Sequence, residues 1–349
     1  MSFDPSSLGL EVQLAQIPAQ LKALWDSDSR TRASLLNFVV YCQDTAAFET
    51  NTSLISRFVR NHACRAILLG DCPTHNGPKV TAWVQAHCRI TKAGAGEVCS
   101  EQITILAEGM SPEGVSNALL SNLDYDLPLS LWWQGPLPAD GLSPLWVRVD
   151  RLLFDSQDWH NPLESLTRLR QVRAGANAQM AVADLNWTRT LSFRQALAEC
   201  FDAPAACAAL EGISHVEIHH SAGSMITACL LASWFAAQLG WTVVQRGTRP
   251  LVFTTPSGAS VECQLVVDET AAEASITRVK VRGERLDLQL CRESNAPLLL
   301  ATLSTGESTT SAHYPAGNTS VESLLTEELI PGSKHRVYLR ALRVLESLL

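Results

Sequence analysis

The strongest constraint on the fold is the alternation of short apolar runs with helix-type segments in the first half of the chain. Residues 35–42 (LLNFVVYC) are rich in β-branched and aromatic side chains, which predicts a buried strand. Residues 49–61 follow with apolar residues at helical spacing, and residues 65–69 form the next predicted strand. A helix at residues 111–120 and a strand at residues 127–133 continue the series. This order predicts an α/β fold with a mainly parallel sheet and helices on both faces.

The second half of the chain carries a different pattern. Residues 225–239 are strongly apolar and end at Gly240, which predicts a helix with a glycine cap. Short strand-like runs follow between residues 242 and 303, with Gly, Pro, Asp or Glu in the turns, and this favours an antiparallel meander. Helical segments near residues 319–329 and 333–349 complete the pattern. An α+β arrangement is therefore expected in this half.

Chain length and one alanine-rich segment define the expected domains. With 349 residues, the chain is long enough for two domains of ordinary size. Residues 202–211 combine a proline with many alanines, and the character of the sequence changes there. We therefore predict an N-terminal α/β domain over residues 1–205 and a C-terminal α+β domain over residues 206–349.

Composition argues against several classes of function. The formal net charge is −8 and the chain has no long basic run, so nucleic acid is not an expected partner. The longest apolar run is shorter than the roughly 20 residues that a transmembrane helix needs. The first ten residues contain Asp4 and no cation, unlike a secretory signal. These features predict a cytoplasmic protein that binds neither nucleic acid nor membrane.

The chain contains ten cysteines, which is a high number. Disulfide frameworks are typical of short secreted chains, so most of these side chains are expected to be reduced thiols, many of them in the core. Cys72, Cys88 and Cys99 are the candidates for a redox-active pair. This thiol-switch hypothesis predicts that mild oxidation changes partner binding.

Short catalytic motifs are missing from the sequence, which has no P-loop, no complete dinucleotide fingerprint and no G-x-S-x-G elbow. We therefore expect no catalytic residues, no metal and no cofactor. His215, Glu217 and His219 share one face of a predicted strand, but they fit a polar strand face better than a zinc site. The turn at residues 219–224 leaves another hypothesis open, in which an enzyme or sensor uses it, with His219 or His220, to bind an anionic metabolite.

Six segments, taken in order, carry a resemblance to a known family. They are residues 32–41 (RASLLNFVVY), 60–67 (RNHACRAI), 99–103 (CSEQI), 127–135 (LPLSLWWQG), 150–156 (DRLLFDS) and 184–189 (DLNWTR). In this order they resemble the family of glucose-6-phosphate dehydrogenase assembly proteins, OpcA. The resemblance implies a non-catalytic protein that binds glucose-6-phosphate dehydrogenase and promotes its assembly or active state. Such a protein supports NADPH supply through the oxidative pentose phosphate pathway.

Tryptophan and arginine side chains within these segments are the candidates for contact with a protein partner, since these residue types dominate interface hot spots. The candidates are Trp132, Trp133, Arg65, Arg151, Trp187, Arg189 and Arg194. For the arginines, internal ion pairing is an open alternative, with Asp150–Arg151 and Asp184–Arg189 as the natural pairs. For the two adjacent tryptophans, burial of both under helices is equally open.

Overall fold

The structure of the protein is a computed structural model. It describes residues 4–25, 30–32, 34–74, 76–90, 97–139, 144–247, 249–269, 274–293, 297–306, 308–330 and 336–349. Contacts divide the chain into two compact units. The first comprises Met1–Phe154 and Thr167–Ala183, and the second comprises Asp155–Leu166 and Asp184–Leu349.

This division falls earlier than the boundary predicted at residues 205/206. Residues 184–205 belong to the second unit, because the helix over Leu185–Arg189 packs against the helix over Val321–Glu328. The alanine-rich segment contains a short helix, Pro204–Ala209, with a proline in its first turn. Proline and alanine therefore mark a helix start in this segment rather than a linker.

The first unit contains a large sheet and the helices that flank it. Its strands are β1 (Leu10–Val12), β2 (Arg30–Arg32), β3 (Asn37–Cys42), β4 (Arg65–Cys72), β5 (Lys79–Ile90), β6 (Glu97–Glu108), β7 (Leu129–Trp133), β8 (Arg151–Phe154) and β9 (Ala181–Asp184). Its helices are α1 (Ile17–Trp25), α2 (Phe48–Phe58), α3 (Pro112–Leu120), α4 (Pro144–Arg148) and α5 (Pro162–Gly175). The first five residues of α5 and the last residue of β9 are assigned to the second unit.

The sheet of the first unit is mostly parallel, as predicted. Its strands follow the order β1-β5-β6-β4-β3-β7-β8-β9, and β2 pairs with β6 off this path. Strand β3 is parallel to both β4 and β7, and β4 is parallel to β6. Strand β5 is antiparallel to β1 and β6. The α/β class is therefore confirmed for this unit.

Local sequence explains the central elements of this sheet. All six residues of β3 are buried, as expected for a parallel strand that is covered on both faces. In α2, Phe48 and Phe58 belong to the buried face that packs on the sheet. Ser111 precedes α3 and accepts a hydrogen bond from the Gly114 amide at 3.2 Å, so its hydroxyl satisfies one of the free donors of the first turn.

The second unit contains another large sheet and further helices. Its strands are β10 (Ile213–His220), β11 (Thr242–Val243), β12 (Leu251–Thr254), β13 (Ser260–Val267), β14 (Ile276–Gly283), β15 (Leu286–Arg292), β16 (Leu298–Thr305) and β17 (Ser308–Pro315). Its helices are α6 (Leu185–Arg189), α7 (Leu191–Cys200), α8 (Pro204–Ala209), α9 (Met225–Leu239), α10 (Val321–Glu328) and α11 (Arg336–Leu348).

The sheet of the second unit is mostly antiparallel, as predicted. Its strands follow the order β11-β12-β13-β10-β14-β15-β16-β17. Strands β14 to β17 form the antiparallel meander. Strand β10, however, pairs in parallel with β13. This pair is possible because the connection from β10 to β13 contains α9, and parallel neighbours need such a crossover.

Helix α9 begins and ends where the sequence predicted. Its central residues are buried on all sides, which explains the lack of a polar face. Gly240 ends it with a φ of 71°, in the left-handed region that side chains other than glycine rarely adopt. No helix in the described ranges combines the length and the hydropathy that a bilayer span requires.

Strands β1, β2, β9 and β17 were not predicted. Residues 10–25 carry apolar residues at helical spacing, which favours a helix, but the structure has β1 at Leu10–Val12 and an α-helix only over Ile17–Trp25. Strand β17 has the sequence STTSAHYP, and seven of its eight residues are exposed. A strand with no buried face has no alternation of apolar and polar residues, so period-two reasoning does not detect it.

Candidate functional site

The adjacent tryptophans of β7 are both buried, each with 7% of its surface exposed. The Trp133 ring stacks on Tyr41 with centroids 3.6 Å apart, and the Trp146 ring lies 5.4 Å away. The Trp133 indole Nε1 donates to the Pro136 carbonyl at 3.0 Å. The sequence left open whether both rings are buried or one lies at the surface. In the structure both rings are buried.

Trp133 nevertheless borders a cavity of about 400 Å³ in the first unit. The cavity lies at the carboxyl ends of parallel strands, since Tyr41 is near the end of β3 and Trp133 is at the end of β7. Asp71, near the end of β4, and Arg168 of α5 also line it. Aromatic walls with a few polar groups are the usual lining of a ligand pocket.

One arginine candidate of the first unit, Arg65, has its partners within that unit. Arg65 forms an ion pair with Glu101, whose side chain is fully buried. Its Nη1 also donates to the Asn122 carbonyl at 3.0 Å. Arg151 begins β8 and is half-buried. Arg65 therefore ties β4 to β6, which is the internal role that the sequence left open.

In the second unit, Arg189 is held by Asp155. The Arg189 guanidinium meets the Asp155 carboxylate through Nη2–Oδ2 at 2.7 Å and Nη1–Oδ1 at 3.1 Å. The sequence suggested a pair with Asp184 instead. That carboxylate is occupied elsewhere, because it caps α6 and accepts the Asn186 amide at 3.0 Å. Capping an orphan amide at a helix start competes directly with ion pairing.

Asp184 is a buried carboxyl group inside the second unit. Its Oδ1 accepts the amides of Ser156 and Asn186, both at 3.0 Å, and its Oδ2 accepts the Tyr338 hydroxyl at 3.2 Å. Burial, together with the nearby charge of Asp155, raises the pKa of Asp184 to about 7. Hydrogen bonds to the carboxylate oppose this shift without overcoming it.

Arg194 and Trp187 form a stacked pair in the same unit. The Arg194 guanidinium carbon lies 3.6 Å from the centroid of the Trp187 ring, within cation–π range. Its Nε donates to the Thr190 hydroxyl and its Nη2 to the Trp187 carbonyl, both at 3.0 Å. Burial lowers the pKa of Arg194 to about 9, and the nearby Glu328 carboxylate partly offsets this effect.

A second cavity, of about 330 Å³, borders this stacked pair. Trp187 and Arg194 line it from α6 and α7, and Arg336 lines it from the start of α11. Ile330 also borders the cavity, with 49% of its surface exposed. The cavity is therefore lined by the buried Trp187–Arg194 pair and, at its rim, by the exposed residues Ile330 and Arg336.

The candidate cysteines do not act as one group. Cys88 and Cys99 form a disulfide between directly opposed positions of β5 and β6. Cys72 of β4 lies opposite Glu108, at the other end of β6. Glu108 is nine residues from Cys99, which corresponds to roughly 30 Å along the strand. Burial raises the pKa of the Cys72 thiol, which disfavours the reactive thiolate. The redox hypothesis is therefore limited to the Cys88–Cys99 pair.

The turn at residues 219–224 is closed by its own hydrogen bonds. The Ser221 hydroxyl donates to the Ser224 hydroxyl at 2.9 Å, and the Ser224 amide donates to the Ser221 carbonyl at 2.9 Å. His220 is fully buried, and burial lowers its pKa. A neutral imidazole supplies no positive charge for an anion, so the turn gives the metabolite hypothesis little electrostatic support.

The polar face of β10 is organised around Glu217. Lys280 Nζ lies 2.9 Å and His219 Nε2 3.0 Å from its carboxylate, and hydrogen bonding to Lys280 is the main reason that the pKa of Glu217 falls to about 2. His215 and Arg282 lie 3.6 Å away. Across the described part of the chain, no group of three His, Cys, Asp or Glu side chains could hold a metal ion.

Several functional candidates were missed by sequence reasoning. Tyr338 and Asp184 are 154 residues apart in the chain, and no local pattern connects them. Tyr41 and Trp146 belong to apolar runs that predict only core packing. Ile330 follows a helix and precedes Pro331-Gly332, which is the sequence of an ordinary loop. In each case the signal is spatial, because it depends on which elements meet.

Two family models match the chain in order. The first describes the N-terminal domain of a glucose-6-phosphate dehydrogenase subunit, and it matches residues 56–171. The second describes the C-terminal domain of the same kind of subunit, and it matches residues 180–342. The two matches do not overlap, and together they include most of the chain.

Curated relatives with the provisional name OxPP cycle protein OpcA also match. The protein of Synechocystis sp. is 30% identical over 216 residues, which are 59% of this chain and 44% of that protein. The protein of Nostoc punctiforme is 32% identical over 184 residues, which are 52% of this chain and 39% of that protein. The match to the protein of Synechococcus elongatus is 25% identical and spans 81% of this chain and 67% of that protein. The chain thus spans less than half of the length of the first two relatives.

Solved structures of oxidoreductases give weaker likenesses. The 3-ketoreductase KijD10 of Actinomadura kijaniata matches with a TM-score of 0.46 at 13% identity, over 90% of this chain and 96% of that chain. The aldose-aldose oxidoreductase of Caulobacter crescentus matches with a TM-score of 0.44 at 13% identity, over 89% and 95%. Scores of this size support no conclusion about activity.

Proposed function

Because this chain belongs to the OpcA family of glucose-6-phosphate dehydrogenase assembly proteins, we propose that it binds glucose-6-phosphate dehydrogenase and promotes the assembly or active state of that enzyme. It does so without catalysing a reaction of its own, and it thereby supports NADPH production in the oxidative pentose phosphate pathway. The observation that carries this proposal is the match of both domains of one family, in order, at residues 56–171 and 180–342.

The physical requirement for such an activator is differential binding. A ligand that binds two states of an enzyme equally shifts nothing, however tightly it binds. The chain therefore binds the active or assembled dehydrogenase more tightly than the inactive form. A tenfold shift in the equilibrium between the inactive and active dehydrogenase needs a difference of about 1.4 kcal/mol between the free energies of binding to the two forms. One well-packed contact can supply this difference.

The cavity bordered by Trp187 and Arg194 is the contact surface that we favour in the second unit. Trp132 lines neither of the two cavities described above, and Arg65 and Arg189 serve ion pairs inside their own units. Trp187 and Arg194, by contrast, combine hot-spot residue types with a cavity that a partner side chain can enter.

The rim of this cavity suits a protein partner. Ile330 exposes 49% of its surface beside it, and Arg336 is exposed at the first position of α11. Buried anchors surrounded by a mixed rim are typical of interface centres, where water is excluded from the contact. Arg151 and Trp133 remain secondary candidates, in the first unit.

A titration of enzyme activity tests the proposed function. Glucose-6-phosphate dehydrogenase of the same organism is held at fixed concentration, and NADPH formation is followed as the chain is added. A saturable increase in rate supports an activator. A rate that stays unchanged with the chain in large excess contradicts it, and so does NADPH formation by the chain alone.

A further inference from the structure

Strand β17 forms an edge of the second-unit sheet, and its outer side has no partner strand in the described part of the chain. The strand contains eight residues, Ser308–Pro315, seven of which are exposed. Each of the eight residues lies opposite a residue of β16, so the strand is regular along its whole length. Backbone N–H groups alternate in direction along an antiparallel strand, and about half of those in β17 therefore point away from β16.

The other ends of the two described sheets are short strands. These are β1, β9 and β11, with three, four and two residues. A short edge strand offers few backbone groups to another chain, and shortness is one way in which proteins prevent association through sheet edges. With eight residues, β17 is the described edge at which a further strand can add.

Strand β17 also lacks the other features that protect an exposed edge. Its sequence, STTSAHYP, contains no Lys, Arg, Asp or Glu, and its proline stands at the last position. Its register with β16 is continuous and has no bulge. Charged side chains, prolines and bulges are the usual devices against edge-to-edge pairing. The strand therefore permits β-augmentation, in which a strand of another chain extends the sheet through main-chain hydrogen bonds.

Side-chain contacts hold β17 in place within its own chain. The Thr309 and Ser304 hydroxyls lie 2.8 Å apart across the pair with β16. Near the end of the strand, the Tyr314 hydroxyl lies 3.8 Å from Cys200 Sγ of α7. An edge that is already ordered loses little conformational freedom when it pairs, and this favours association.

A second copy of this chain is the occupant that these features favour. Each copy carries the same eight-residue edge, so two copies match in length. A two-fold axis makes the two strands antiparallel and brings residues of the same short sequence together, where like charges would repel. In β17 the only basic side chain is His313, which lies 3.6 Å from Glu293, and its Ser and Thr side chains can hydrogen-bond across such a pair.

We propose that two copies of the chain associate through antiparallel pairing of their β17 strands, so that the two second-unit sheets become one continuous sheet. The pairing forms about one main-chain hydrogen bond per residue of the strand. Because it uses both free edges, the assembly closes at two copies. The contact is small, so the pairing is reversible at micromolar concentration. This inference is independent of dehydrogenase binding, because it rests on the second unit alone.

The mass of the intact chain in solution tests the pairing. Light scattering is expected to give the mass of one chain at about 1 μM and to approach that of two chains at about 100 μM, which corresponds to a dissociation constant near 10 μM. Reductant is present throughout, so that exposed Cys207 forms no disulfide between copies.

Hydrogen exchange at single-residue resolution locates the contact. At the low concentration, the amides of β17 that point towards β16 are expected to exchange slowly and the alternate, outward amides rapidly. At the high concentration, the outward amides are expected to become protected as well. A dimer formed through any other surface leaves their exchange unchanged.

A matched pair of double variants separates edge pairing from other association. Thr309→Lys with Ser311→Lys places two charges on β17, about 5 Å from the paired strand of the other copy. This variant is expected to weaken self-association at least tenfold. Thr302→Lys with Ser304→Lys places the same charges at the directly opposite positions of β16.

The β16 variant is the control, because its charges lie roughly 14 Å from those of the other copy, beyond the Debye length of about 8 Å at physiological salt. Its self-association is expected to stay within about twofold of the native value. Urea unfolding shows that both variants are folded.

Three results would overturn the proposal. One is a chain that keeps the mass of a single copy at about 100 μM, whether or not added dehydrogenase protects β17. Another is a dimer in which the outward amides of β17 exchange as rapidly as in the single chain. The third is equal weakening of self-association by the β17 and β16 variants.

Discussion

Arg189 and Asp155 are joined by two parallel hydrogen bonds, at 2.7 Å and 3.1 Å, although they lie 34 residues apart. Both side chains are largely shielded from water, with 9% and 14% of their surfaces exposed. The bidentate geometry is the strong form of an arginine–carboxylate contact. It fastens the start of the segment Asp155–Leu166 to α6 within the second unit.

Replacement of Arg189 by Met is therefore expected to destabilise the chain. Removing one partner of a buried ion pair leaves a charge unpaired and costs roughly 3–5 kcal/mol. Urea unfolding at neutral pH measures the change, and Arg343→Met on the exposed side of α11 is the matched control. If Arg189→Met kept full stability but lost dehydrogenase binding, Arg189 would return to the list of contact residues.

Stability is expected to depend on pH through Asp184. Its pKa is raised to about 7 in the folded chain, whereas an unfolded aspartate ionises near pH 4. Between these values the unfolded chain releases a proton that the folded chain keeps, so this group lowers stability as pH rises from about 4 to 7.

The variant Asp184→Asn isolates that effect, because the amide oxygen can still accept hydrogen bonds but does not titrate. The free energy of unfolding of the native chain, minus that of the variant, is expected to fall from pH 5 to pH 8. A difference that is constant over this range would mean that Asp184 titrates normally.

The Cys88–Cys99 disulfide is expected to stabilise the first unit under oxidising conditions. The two residues are 11 positions apart, and closure of a loop of this size contributes about 3 kcal/mol in the chain-entropy account. The double variant Cys88→Ser, Cys99→Ser is expected to unfold at lower urea concentration than the native chain. Added reductant should abolish the difference, and an equal gap with and without reductant would argue against the bond.

The rim of the second-unit cavity gives the sharpest test of the proposed interface. Arg336→Glu and Ile330→Asp alter exposed positions, so folding should be preserved while dehydrogenase affinity falls at least tenfold. Arg343→Glu, about 10 Å further along α11, and Val244→Asp, at another exposed apolar position, are the controls. If the rim and control variants lost dehydrogenase affinity equally, the loss would be due to the added negative charge in general, and the cavity would not be the contact surface.

The fold was largely predictable from local pattern. Strand β3 and helix α9 have apolar runs whose length and caps determine their type, and the structure has both where the sequence predicts them. Strand β17 was missed because Ser and Thr occur on both of its faces and no apolar face alternates with a polar one. The parallel pairing of β10 with β13 was missed because pairing depends on a crossover rather than on the strands themselves.

The candidate site was less predictable, because residue type does not report burial. Trp132 and Arg65 have hot-spot chemistry, yet one is buried in the core and the other pairs with Glu101 inside the sheet. Arg189 pairs with Asp155 rather than with Asp184, since a helix cap occupies Asp184. Which of several nearby acidic residues an arginine meets is decided by packing and capping.

The most direct test of the central claim is co-elution of the native chain with glucose-6-phosphate dehydrogenase of the same organism. The proteins are mixed at micromolar concentration, with and without reductant, and analysed by size-exclusion chromatography with light scattering. We expect a complex heavier than either protein alone, in which the dehydrogenase forms NADPH faster. Separate elution under both conditions, with unchanged activity, would contradict the proposed function.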